Sequence, residues 1–415
     1  MMKIFIKNIF DLSFSIIFFF PFLIYSFIFR PTKQKSPKIV WGLFPHYNSA
    51  NNSYALKLLG FSSKYYIDES YNIVDEKYFD KVLIPKGKNN GILILLKRYI
   101  RFFDIIKNFD VIITTFDGAF LRYTKLRFFE HIFWKIGKKI IIVWPYGSDT
   151  YIHSRMADHT FRYGLLKSYP FDFKKEEITK KQIKYFTNFA DFIVGNIPHS
   201  ESIPKWDIIT VACYSIDTNI WKPNINYKYD SDGKNSKIKI LHVTNHRDVK
   251  GTGFLINACN EIIKEGYDIE LQIIEKTIKS NIISQLPHNE LKEIMKSCDI
   301  LAAQFLYGYA ATEIEGMSLA KPVLSNLSNN YFFDIARRYT YFKNCPIIST
   351  PPEKIKENLI MLIKNPKLRE DIGLRSRDYV IKYHSLEGMG LMWSKIVDKV
   401  YYNKTENLDN WWKDR

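Results

Sequence analysis

Residues 238–252 read IKILHVTNHRDVKGT, and this stretch decides the fold. Residues 238–243 form a short apolar run of strand type. A polar turn carrying Arg247 and Lys250 follows, and then an amphipathic helix over 252–265. A strand that turns straight into a helix is half of a βαβ unit. The helix start offers N–H groups without helical partners and a partial positive charge, and the two cations stand beside it. A nucleotide diphosphate is the natural occupant of such a turn. A solvated loop with routine surface cations is the plainer alternative.

Downstream the same alternation continues, with strands expected at 270–274, 300–303 and 322–325 and helices at 288–297, 312–320 and 353–364. Upstream, the polar stretch 224–237, NINYKYDSDGKNSK, has the composition of a linker. Before it a first series runs through strands at 39–43, 64–67, 82–84, 111–115, 139–144, 192–195 and 208–211. Helices are expected there at 54–59, 93–107, 126–136 and 177–188. The chain therefore reads as α/β, with two Rossmann-like domains facing a cleft: 36–223, then the linker, then 238–385. A closing helix at 386–402 and a tail at 403–415 complete it, with a hydrophobic segment at 1–35 in front.

The second informative stretch is 307–323, YGYAATEIEGMSLAKPV. It reads as a glycine-containing loop, a helix with small residues on one side, and a strand opening at Pro322. A carboxylate on such a helix can accept from two ribose hydroxyls; a plain surface glutamate is the alternative. Together, 238–323 resemble the donor-binding half of the retaining glycosyltransferases of family 4. The family's cationic turn is matched by Arg247 and Lys250-Gly251, with the Arg three residues before the Lys instead of five. Its paired glutamates stand eight positions apart. Glu315 matches the second, which in the family holds ribose, and Tyr307 occupies the place of the first, which touches the donor sugar. Glu313, two residues from Glu315, points elsewhere on a helix. The loop Gln285-Leu286-Pro287-His288 falls where the family's nucleobase packs.

In the first domain, Trp144-Pro145-Tyr146-Gly147-Ser148-Asp149 follows an apolar strand. A group of bacterial glycosyltransferases has a similar Gly-Ser-Asp turn. Asp149 is the candidate catalytic residue there, orienting an acceptor hydroxyl or stabilising charge at the anomeric carbon. An Asp that only organises its turn is the alternative. Asp117-Gly118 is a second, weaker candidate.

The run 12–29 is uncharged and mostly apolar, just long enough to span a bilayer. A single span is expected. A helix that breaks at Pro21 and returns is the rival, loosely similar to the re-entrant anchor of polyprenyl-phosphate sugar-phosphate transferases, and a cleaved signal is the third possibility. Basic residues after the run put the catalytic body on the cytoplasmic side, at a bacterial inner membrane. The net charge of +17 asks for a negatively charged partner. The cations and aromatics of 97–103, followed by Arg122, Lys125, Arg127, Lys135, Lys138 and Lys139, suit an anionic membrane surface better than nucleic acid.

Several matches carry no weight. Asp230-Ser231-Asp232 has a metal-binding spacing but lies in the expected linker. The four cysteines are scattered, which fits neither zinc nor a disulfide framework and suggests a reducing compartment. There is no GxGxxG, HExxH or GxSxG. The resemblance implies a transferase that moves a sugar from a nucleotide-sugar donor to a lipid-linked or glycan acceptor in polysaccharide assembly. It retains anomeric configuration and needs neither metal nor cofactor. A nucleotide-sugar epimerase of the same architecture and an inactive membrane-bound scaffold are the rivals, the latter favoured by Tyr307.

Overall fold

The apolar runs become the strands of two sheets in a computed structural model. It describes residues 2–31, 36–69, 79–84, 91–197, 199–275, 277–279, 282–284, 286–404 and 408. The chain opens with α1 (Met2–Ile28), β1 (Lys38–Trp41), α2 (Tyr47–Leu58), β2 (Ser62–Glu69), β3 (Lys81–Ile84) and α3 (Gly91–Asn108). It continues through β4 (Val111–Thr114), α4 (Glu130–Ile136), β5 (Ile140–Val143), α5 (His159–Ser168), α6 (Glu176–Phe189), β6 (Phe192–Asn196) and β7 (Ile208–Thr210). These strands form one sheet in the order β3-β2-β1-β4-β5-β6-β7, parallel from β3 to β6. The central strand β4 is buried along its whole length, as expected of a parallel strand covered on both faces.

The second sheet is built from β8 (Ile238–Thr244), β9 (Ile269–Glu275), β12 (Ile300–Ala302), β13 (Val323–Ser325) and β14 (Ile348–Ser349), in the order β14-β13-β12-β8-β9. Its helices are α7 (Arg247–Lys250), α8 (Thr252–Lys264), α9 (His288–Ser297), α10 (Ala311–Ser318), α11 (Asn330–Tyr339), α12 (Ile355–Lys364) and α13 (Pro366–Tyr383). A small antiparallel pair, β10 (Thr277–Lys279) and β11 (Ile282–Ser284), precedes α9.

Two compact units follow, and their boundaries differ from those expected. Unit 1 comprises Met1–Ile152, Glu176–Ile209 and Gly390–Asp409; unit 2 comprises His153–Lys175, Thr210–Met389 and Asn410–Arg415. The final helix, α14 (Leu386–Tyr402), thus returns to unit 1, where Trp393 meets Trp41 edge-on at 4.8 Å. Conversely α5, from the first half of the chain, belongs to unit 2. The expected linker 224–237 also lies within unit 2: the Tyr227 hydroxyl donates to Asp299 and that of Tyr229 to the Ala320 carbonyl. Asp232 there closes a turn by accepting from the N–H groups of Lys234, Asn235 and Ser236.

α1 runs unbroken through Pro21, so the break that the re-entrant alternative required there is not present. The basic run of α3 also differs from expectation. Arg98 and Arg101 turn inward onto the Asp68 carboxylate at 2.5 and 3.0 Å, and Tyr99 and Phe102 lie in the core. They are not part of a lipid-facing patch.

Candidate functional site

In unit 2 the strand order reverses between β8 and β12, because the chain places β9 on one side of β8 and β12 on the other. The loops after these two strands diverge at the carboxyl edge, the usual ligand position in an open α/β sheet. The first loop carries Arg247, Lys250 and Gly251; the second carries Phe305, Leu306 and Tyr307. The Phe305 N–H donates to the Lys250 carbonyl at 3.0 Å, locking the loops together. Gly251 sits at φ 72°, and a Cβ there would meet Phe305 Cβ at 3.1 Å. A side chain at this position would be both strained and crowded.

The two cations of this turn are not equivalent. Arg247 is exposed and grips Glu275 with two N–H groups, Nε to Oε1 at 2.9 Å and Nη2 to Oε2 at 2.8 Å. Lys250 is buried, and its Nζ donates to the Val243 carbonyl at 3.1 Å. Burial lowers the Lys250 pKa, while the nearby carboxylates of Glu313 and Glu315 oppose that shift. Helix α5 supports the loop from outside, with Ser168 Oγ accepting from the Val249 N–H at 3.3 Å.

Glu313 is wholly buried and holds the start of α10. It accepts from Gln304 Nε2 at 2.9 Å, Ser325 Oγ at 2.8 Å and the Ala310 N–H at 3.2 Å. Glu315 is half-buried on the same helix. The Tyr307 ring is packed among Phe161, Phe332 and Phe333, with centroids at 5.1, 5.7 and 5.7 Å. Tyr309 has φ 95°, a conformation rare for a residue with a side chain. Its hydroxyl lies 2.6 Å from His384 Nε2 and 2.8 Å from the Tyr379 hydroxyl. Of the loop expected to face the nucleobase, Gln285 and the His288 side chain lie outside the described residues; Pro287 is exposed ahead of α9.

In unit 1 the order reverses between β1 and β4. The loops after β1, β4 and β5 gather Phe44, His46, Asp117, Arg122 and Tyr146. Tyr146 stacks on Phe44 at 4.5 Å and lies 5.4 Å from the His46 ring. Its hydroxyl donates to Asp117 Oδ2 at 2.5 Å, and Arg122 Nη2 pairs with the same oxygen at 3.0 Å. Desolvation pushes the His46 pKa down to about 4, so the imidazole is neutral at neutral pH.

Asp149 is placed differently from expectation. Both of its oxygens are taken by backbone N–H groups: Oδ1 by Tyr146 at 3.1 Å and Gly147 at 2.9 Å, Oδ2 by Phe116 at 3.1 Å. It is buried and fastens the loop after β5 to the loop after β4. The carboxylate beside the aromatic wall is Asp117. Sequence reasoning passed over Phe44 and His46, named Tyr146 only within the turn ending at Asp149, and placed Arg122 among the membrane-facing cations. Their one available signal was position, just past strands that flank the reversal.

No protein-family model matches the sequence, and no curated protein matches it. Solved structures do. An Anabaena protein, Alr3699/HepE, in complex with UDP and glucose is similar at TM-score 0.51 and 11% identity, over 87% of this chain and 99% of that one. The chain has an α/β GT-B-like fold. Glycosyltransferases and UDP-N-acetylglucosamine 2-epimerase-like proteins are both among its structural neighbours. S. aureus MnaA with UDP aligns at TM-score 0.47 and 14% identity, over 89% of this chain and 98% of that one. The glycosyltransferase SnogD from Streptomyces nogalater aligns at TM-score 0.41 and 10% identity, over 87% of this chain and all of that one (100%).

Proposed function

We propose that this GT-B-like chain is a glycosyltransferase that moves a sugar from a nucleotide-sugar donor to a lipid-linked or glycan acceptor, with retention and without a metal. The observation that carries the reading is the junction in unit 2. There the Phe305 N–H to Lys250 carbonyl bond joins the two loops at the strand reversal and sets a buried ammonium beside Glu313 and Glu315. In this reading Lys250, Arg247 and the start of α8 neutralise the diphosphate as it departs. Arg247 leaves Glu275 to do so. Gly251 lets the phosphates approach the backbone, and Glu315 accepts from ribose. Tyr307 offers its hydroxyl to the donor sugar from a ring held in place by three phenylalanines. In unit 1, Phe44 and Tyr146 present aromatic faces to an acceptor sugar, with Asp117 and His46 as polar groups for its hydroxyls, while Asp149 holds the turn in shape.

Calorimetry with UDP, GDP, CDP and dTDP tests the donor half, and binding of at least one is expected. A chain that binds none is not a nucleotide-sugar enzyme. The sugar nucleotide that binds is then incubated with and without lipid-linked glycans, and the product followed by NMR. Transfer with the donor's anomeric configuration supports the reading. An inverted product removes retention from it, and a donor epimer formed without acceptor makes the protein an epimerase.

A further inference from the structure

The polarity of α1 is inside out. Asp11, Ser15 and Ser26 are buried, whereas Ile16, Ile17, Phe20, Ile24 and Phe27 are 59–68% exposed. The buried side is specific. Tyr99 of α3 donates to Asp11 Oδ1 at 2.7 Å, its oxygen lies 2.8 Å from Ser15 Oγ, and the Lys125 N–H reaches Asp11 Oδ1 at 3.2 Å. Phe22 is fully buried between Phe102 and Phe133, at 4.7 and 5.4 Å. On the outer side no charged residue lies between Lys7 and Arg30, and the Ser13 hydroxyl is folded back onto the Ile9 carbonyl at 3.0 Å. Only 22% of the apolar window is buried. A helix in a water-facing position has the opposite pattern, and one continuous exposed apolar row of this length marks an interaction site.

We propose that α1 lies in the plane of an anionic membrane, as a fixed lipid-facing ridge of unit 1 and not as a transmembrane span. A span would need its 24-residue stretch, Phe5–Ile28, to stand along the bilayer normal, roughly 36 Å at 1.5 Å per residue. The helix is fastened along its length to α3, which would be carried into hydrocarbon with the charges of Arg98, Arg101, Asp104 and Lys107. Those charges are expensive there. Lying flat, the same helix buries its exposed row at the headgroup boundary. The occupant is set by charge. Exposed Lys7, Arg30, Lys107 and Lys125 rim the row: Lys107 Nζ is 5.6 Å from the Phe29 ring centroid, and Arg30 is held by the Ile136 carbonyl at 2.8 Å. Cations around an apolar strip complement anionic headgroups over acyl chains. The inference does not depend on the glycosyl-transfer reading.

The test uses the full chain, because removing α1 would uncover Tyr99, Phe102 and Phe133. Flotation with phosphatidylcholine vesicles with and without phosphatidylglycerol should show binding that the anionic lipid strengthens and salt weakens. The double change Ile16→Asn and Phe20→Asn removes two exposed apolar side chains. It should lower partitioning by roughly a hundredfold or more, since each contributes more than about a tenfold factor, while the thermal unfolding midpoint holds. Lys7→Glu with Lys125→Glu should remove the preference for phosphatidylglycerol. Single spin labels at positions 12, 16, 20 and 24 should all report the same shallow depth. The proposal is overturned if the full chain does not float, if the labels show a maximum of depth at mid-helix, or if the row is covered by a second copy and the double change yields a monomer without altering vesicle binding.

Discussion

His384 offers the sharpest test of how unit 2 holds its candidate donor loop. It is fully buried, with Nδ1 2.7 Å from the Tyr214 carbonyl and Nε2 at 2.6 and 3.2 Å from the hydroxyls of Tyr309 and Tyr341. A carbonyl only accepts, so Nδ1 carries the proton and Nε2 accepts from the tyrosines. Burial lowers the pKa from 6.5 to about 4, against the raising effect of the Tyr214 bond. The folded value lies below the unfolded one, so between them the unfolded chain binds more protons. The contribution is intact above pH 6.5 and is lost as pH falls toward about 4. By about pH 4.5 the loss is on the order of 2–3 kcal/mol, from 1.36 kcal/mol per pKa unit. His384→Gln keeps hydrogen-bonding capacity but does not titrate. Hydrogen exchange of peptides covering 303–318, corrected for intrinsic rates, at about pH 7.5 and 4.5 reads the difference. The variant is expected to start less protected and to lose about 2 kcal/mol less on acidification. Residual acid sensitivity will remain from His242, which is held near 4 by burial. Equal acid losses in variant and wild type would refute the assignment of His384 as a neutral acceptor holding Tyr309.

Three further expectations concern the same unit, and a fourth concerns unit 1. Lys250→Met should weaken nucleoside diphosphate binding by about 1.5–3 kcal/mol, the range for a bond to a charged group, and calorimetry reads it; unchanged affinity returns the turn to a structural role. In the native chain that affinity should fall on raising pH before an ordinary lysine titrates, because burial lowers the Lys250 pKa and only the charged form attracts phosphate. Glu315→Gln should weaken nucleoside diphosphate and intact donor alike, since both carry ribose, whereas Tyr307→Phe should affect only intact donor or its turnover. Asp149→Asn should lower the unfolding midpoint, because an amide offers one acceptor oxygen where two now serve three backbone N–H groups, while Asp117→Asn should reduce turnover with the midpoint nearly unchanged; the reverse pattern would restore Asp149 to the chemistry.

The strand and helix pattern was legible because burial is periodic. The final helix fell on residues 386–402 as observed, and α9 on 288–297. What periodicity cannot carry is which sheet a helix serves. α5 follows β5 in sequence, yet Phe161 packs on Tyr307 of unit 2. α14 follows α13, yet Trp393 packs on Trp41 of unit 1. Both assignments depend on three-dimensional partners more than a hundred residues away. α1 shows the same limit differently. Its sequence is apolar enough for a span, and only Tyr99 and the Lys125 N–H reveal that Asp11 faces protein.

Charge misled the reading of the sites for a related reason. A carboxylate near a strand end can meet a ligand or satisfy backbone N–H groups that the turning chain leaves open, and composition does not distinguish the two. Asp149 and Glu313 both take the second course, each accepting from N–H groups of its own loop. Such residues fix loop shape, and in the proposed reading the chemistry passes to what the loops present. In unit 1 that is an aromatic wall with Asp117 at its edge. In unit 2 it is Lys250, whose low exposure also makes it part of the core, so Lys250→Met is a better probe than alanine because it keeps the buried stem. On the proposed alignment, tyrosine at 307 in the place of a sugar-contacting carboxylate is understandable on the same terms. Three phenylalanines give a ring there more packing than a glutamate would find, so under the proposed reading the site holds its loop through apolar contact and meets the sugar with a hydroxyl in place of a charge.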